Sequence, residues 1–142
     1  MARTTAVAAV QAWINTHPTL TGRGRPLEHG AFRGRVRSPS RGAYLMLTRI
    51  DSADALIAED AADQARIAAV IYAATDEAAE TAAVAYANAL AALSGTPTPM
   101  GDTTCLVVDA ITGPLFVDDR AGDGEQYAYA VDADFYLING GS

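Results

Sequence analysis

The sequence predicts an α+β fold: a mixed or antiparallel β-sheet with two main helices packed on it, in a single domain spanning residues 1–142. Three stretches predict it. In residues 126–138, Q-Y-A-Y-A-V-D-A-D-F-Y-L-I, the side chains of Tyr127, Tyr129, Val131, Ala133, Phe135 and Leu137 recur at every second position. That is the period of a strand, with one face apolar throughout. Residues 75–94 read as a long alanine-rich helix, and residues 4–15 as a shorter one. A strand face this apolar needs a layer over it, and the helices are the candidates.

The elements follow in order. Thr4 or Thr5 caps the first helix, which places Val7, Val10, Trp13 and Ile14 on one face. It ends at His17-Pro18, because the residue before proline avoids the helical region. Trp13 reads as a core anchor. Residues 19–42 are rich in Gly, Pro, Arg and Ser and form a loop or arm, with a short strand at 31–36. Residues 42–51 alternate as a strand. Residues 51–63 are an acidic loop, and residues 65–74 are a second strand able to pair antiparallel with the first. Thr75 is a good N-cap, and Asp76 and Glu77 complement the positive end of the helix dipole. Ala79, Ala83, Tyr86, Leu90 and Leu93 then share a face, with Gly95 as the stop signal. Residues 96–100 read as a proline-bearing loop and residues 103–111 as a strand. Thr112-Gly113-Pro114 breaks that strand, and residues 115–117 resume it. Residues 118–125 make a turn before the final strand, and residues 139–142 are a frayed tail.

Charge is divided along the chain. Residues 1–50 hold eight arginines and one acid, net +7; residues 51–142 hold two arginines and sixteen acids, net −14. There is no lysine. The overall charge of −7 argues against general nucleic-acid binding. The division argues for a subunit with one basic and one acidic surface. Arg33, Arg35 and Arg37 alternate, so an extended backbone puts them on one side. With Arg41 they read either as a solvated loop or as a comb of guanidinium groups facing a carboxylate- or phosphate-bearing partner. Asp118, Asp119, Asp123 and Glu125 are the candidates for a complementary acidic surface.

Catalytic and cofactor signatures are lacking. The lone Cys105 excludes an internal disulfide and reads as a small buried apolar residue. His17 and His29 make no persuasive metal site, and the acidic turn lacks the spacing of an EF-hand. No P-loop, dinucleotide fingerprint, G-x-S-x-G or H-E-x-x-H occurs. Asp132 and Asp134 share a strand face and read as solvent-facing or salt-bridged. The expectation is no enzyme, no cofactor and no metal. No uncharged apolar stretch approaches the roughly 20 residues that span a bilayer. Nor does a signal-peptide run follow Arg3, so an intracellular product is expected.

The stretches R-G-A-Y-L-M-L-T-R-I (41–50), D-Q-A-R-I-A-A-V-I-Y-A (63–73), E-A-A-E-T-A-A-V-A-Y-A-N-A-L (77–90), I-T-G-P-L-F-V-D-D (111–119) and Y-A-V-D-A-D-F-Y-L-I (129–138) carry a resemblance. In order and wording the chain resembles tail terminator (tail completion) proteins of long-tailed bacteriophages, the actinobacteriophage type in particular. The resemblance implies an α+β subunit in a six-membered ring that ends the tail tube and meets the head connector. Its implied partners are copies of itself, the tail tube protein and the head-completion or connector protein, with passing contact to DNA in the channel. Its implied place is the head-proximal end of the virion tail, assembled in the host cytoplasm. A head-completion adaptor or stopper is the neighbouring reading, and a small ligand-binding domain the more distant one.

Overall fold

Long strand pairing, unbroken between the two central strands, decides the architecture. The computed structural model describes residues 5–33, 43–50, 63–93, 96–117 and 127–139. Its elements are α1 (Ala6–Thr16), β1 (Ala31–Arg33), β2 (Tyr44–Arg49), β3 (Asp63–Ala73), α2 (Asp76–Ala91), β4 (Thr98–Met100), β5 (Thr103–Val117) and β6 (Tyr127–Asn139). The strands form one curled sheet of six, in the order β1-β2-β3-β6-β5-β4. β1 runs parallel to β2, and every other neighbouring pair is antiparallel. This is the expected α+β class with a mixed sheet and two helices. β3 and β6 lie at its centre and pair from Asp63↔Leu137 to Ala73↔Tyr127.

Period-two alternation sends one set of side chains to a shared core. Ala65, Ile67, Ala69 and Ile71 of β3 join Tyr129, Val131, Ala133, Phe135 and Leu137 of β6 under the helices. α2 contributes Ala79, Ala82, Ala83, Tyr86 and Leu90; α1 contributes Val7, Val10, Trp13 and Ile14. Alanines on both surfaces let the α2 backbone lie close to the sheet. Phe135, flanked in register by the smaller Ala65 and Val108, is fully buried, and burying a ring of that size stabilises by about 1.5–3 kcal/mol. Trp13 is the core anchor its spacing predicts, with its ring edge-on to His17 at 5.3 Å.

The helix starts follow their caps. Thr5 Oγ1 accepts from Ala8 N at 3.2 Å, and Thr75 Oγ1 from Ala78 N at 3.1 Å. α1 ends where expected, with His17 extended at φ −76°, ψ 118°. α2 ends at Ala91; Ser94 and Gly95 lie outside the described residues. The glycine-rich connection after α1 is pinned through residue 30 by buried Leu20 and Leu27, and Thr21 Oγ1 donates to Ile14 O at 2.7 Å.

Two expectations need correction. Residues 98–100, read as loop, form β4. A two-residue turn with Gly101 at φ +61° returns the chain, Thr103 Oγ1 bonds Met100 O at 2.8 Å, and β4 pairs with β5 from Thr98↔Cys105 to Met100↔Thr103. Thr112-Gly113-Pro114 does not end β5, which continues to Val117 through register shifts after Cys105, Asp109 and Thr112. The first shift takes Leu106 out of the alternation, so Cys105 and Val108 are both inside.

Among the described residues, one buried side-chain group is left unmatched. The Tyr86 hydroxyl has no hydrogen-bond partner among the described residues, and burial, with the charge of Asp132, drives its pKa above the ordinary phenol value. An unsatisfied buried hydroxyl costs about 1–3 kcal/mol. Tyr86→Phe is therefore expected to leave stability unchanged or raise it by up to that amount, read as the midpoint of urea denaturation.

A candidate interaction surface at the sheet margins

The two margins of the sheet are built differently. At the β1 margin, side chains from α1 occupy the backbone groups of Ala31. Asn15 Oδ1 accepts from Ala31 N at 2.7 Å, while Asn15 Nδ2 and Gln11 Nε2 each donate to Ala31 O at 3.1 Å. The amide side chain does for Ala31 what a further strand would do. Beyond it, Arg33 ends β1, is exposed, and reaches Thr5 Oγ1 at 3.5 Å. Arg23 and Arg25 are exposed in the connection leading to β1. β2 extends past the end of β1, and the following Ile50 is 50% exposed.

Among the described residues, the β5 margin is open beyond β4. β4 covers β5 only as far as Cys105. From Leu106 to Val117, no strand among the described residues lies on its outer side. Leu115 and Phe116 are 68% and 52% exposed, and Tyr127, at the start of the neighbouring strand, is exposed as well. Register assigns the first two to opposite faces. Leu115 pairs with Ala130 on the face away from the helices, closing an apolar row that runs from Phe32 through Met46, Val70 and Ala130. Phe116 pairs with Tyr129 on the helix side, ring to ring at 5.6 Å.

Arg66 of β3 holds the irregular middle of β5 to the sheet. It meets Asp134 Oδ1 at 3.1 Å and donates to Ala110 O at 3.4 Å and Thr112 Oγ1 at 3.3 Å. Ala110 sits at φ +51°, and its N–H is taken by Asp109 Oδ1 at 2.8 Å. Gly113, at φ +101°, lies where a Cβ would strike the Ala130 carbonyl oxygen. The Tyr129 hydroxyl donates to Asp76 Oδ1 at 2.8 Å and ties β6 to the first turn of α2. That bond, then burial and the charges of Asp76 and Glu80, push Tyr129 up to about 12.

Of the eight residues expected at an interface, Arg33 is placed, at the end of β1. Arg35, Arg37, Arg41, Asp118, Asp119, Asp123 and Glu125 lie outside the described residues. Asp134 is salt-bridged, one of its two expected roles. The exposure of Leu115, Phe116 and Ile50 escaped the sequence reading, because an apolar residue in a strand carries no mark of an uncovered margin. Cys105 is buried, which pushes its thiol up and away from reactivity. Among the described residues, no three His, Cys, Asp or Glu side chains gather as metal ligands, and no helix is long and apolar enough to cross a membrane. Comparisons of the chain with protein-family models, curated proteins and solved structures return no match.

Two outcomes are expected. Gly24 and Gly113 both have positive φ, but only Gly113 faces a backbone oxygen that cannot yield. Gly24→Ala should cost about 1–2 kcal/mol in denaturant unfolding, and Gly113→Ala a further 1–3 kcal/mol or so. Tyr129 holds its proton more tightly when folded than its unfolded value of about 10 allows. Its contribution to stability is therefore complete below pH 10 and disappears as pH rises towards 12. Tyr129→Phe should lower the melting temperature at pH 8 and flatten its decline across that window.

Proposed function

We propose that the protein is a structural virion subunit that forms a closed ring, with six copies as the resemblance implies, at the head-proximal end of a phage tail. There it ends the tube and presents a surface to the head connector. The observation that carries this reading is the open β5 margin, with Leu115 and Phe116 exposed on its two sides. Monomeric proteins protect long strand edges, because unpaired N–H and C=O groups recruit other chains. Here the register shifts and Pro114 interrupt the middle of the edge, but its distal end at Leu115 and Phe116 is apolar and exposed. Covering Leu115 and Phe116 would contribute about 1–2 kcal/mol each at their present exposure, and each new backbone hydrogen bond about 0.5–1.5 kcal/mol. The uneven charge along the chain supports the same reading, since complementary patches select partner and orientation.

The tail tube protein and the connector are the partners the reading requires, and DNA passes through the ring. The chemistry belongs to assembly: no substrate is turned over and no cofactor is held.

The test combines solution mass with phage morphology. Light scattering of the protein, alone and with tail tube protein, is expected to give a species several times the monomer mass. Leu115→Asp with Phe116→Ser should return it to the monomer with an unchanged circular dichroism spectrum. Removing the gene should give overlong tails in electron micrographs. Finished tails that fail to join heads would assign the protein to an adaptor or stopper, and a monomer that binds neither partner would defeat the proposal.

A further inference from the structure

We infer that the ring contact joins unlike margins: the open β5 margin of one copy receives the β1–β2 margin of the next. This rests on the ring reading above and adds which surfaces meet. The strand order places the two margins at opposite ends of the curled sheet, with β2, β3 and β6 between β1 and β5. Their exposed charges differ in balance. Arg33 lies at the first, and the connection before it adds Arg23, Arg25 and Glu28, net positive together; Asp109 lies on the second. Each margin also has uncovered apolar surface, Ile50 at the first and Leu115 with Phe116 at the second.

Like-to-like contact fits worse on both counts. Two β5 margins brought together would each carry Asp109 and no exposed arginine among the described residues of that strand. Two β1 margins would bring Arg33 of each copy into the same contact, on a strand whose Ala31 backbone is already occupied by Asn15. A contact between unlike patches does not close after two copies, so it generates a ring or a filament. The contributions differ in kind. Exposed ion pairs are worth about 0–1 kcal/mol each and are screened by salt, so Arg33 and Asp109 select the pairing. Apolar cover supplies the holding energy.

The satisfied backbone of Ala31 limits how the margins meet. A strand docking at β5 cannot extend a continuous ladder through Ala31. The neighbour's contribution is its side chains laid against the β5 edge: Arg33, two residues beyond Ala31, and Ile50, five residues past Leu45.

Paired cysteines test the assignment in the full-length chain. Ile50→Cys and Leu115→Cys are made separately and together, and treated with a short bismaleimide cross-linker at assembling concentration. The parent protein, whose Cys105 is buried, is the blank. Linked dimers are expected only when the two single variants are mixed, and the double variant should give a ladder of linked copies. Leu115→Cys linking to itself would overturn the inference, because like margins would then meet. Assembled rings without linkage in the mixture would overturn the margin assignment and leave the ring reading standing. A protein that stays monomeric with tail tube protein present would overturn both.

Discussion

The β3–β6 ladder is the constraint on which the rest of the structure depends. It pairs eleven consecutive residues of β3 without a register shift. A one-residue slip would turn Ile67, Ile71, Val131 and Phe135 outward together. With the ladder fixed, β2 adds on one side and β5 on the other, and α2 starts directly from the end of β3. Thr75 and Asp76 then stand where Asp76 meets Tyr129 of β6, so the strand pairing and the helix start are joined by one hydrogen bond.

This arrangement was largely legible because it depends on local rules. Thr75 followed by two acids announces a helix, the alternation in residues 126–138 announces a half-buried strand, and both were observed within a few residues. β4 was not legible: three residues including Pro99 carry no periodic signal, and they form a strand only because β5 is there to pair with. The continuation of β5 through Gly113 was hidden for a related reason. Gly-Pro ordinarily ends a strand, but here the register shifts absorb the irregularity, and Arg66, forty-six residues before Thr112 in sequence, holds the bulged backbone from across the sheet.

The segregation of arginines from acids is a property of the sequence, and of the eight residues expected to carry it to an interface Arg33 alone is among the described residues. The margins are a property of strand order, and strand order cannot be read from alternation. Leu115 and Leu45 look alike in the sequence, each an apolar residue in a strand. One is 68% exposed and the other 0%, because Leu45 lies under the helices and Leu115 lies on the other face of a strand with no outer neighbour there among the described residues.

Asn15 makes the two margins of the subunit unequal. By imitating the missing neighbour of Ala31, it leaves one side of the sheet with a backbone already bonded where β5, among the described residues, has no outer strand beyond β4. Under the unlike-margin contact proposed above, that inequality would give assembly a direction: each addition would leave the same kind of end exposed until the last copy met the first.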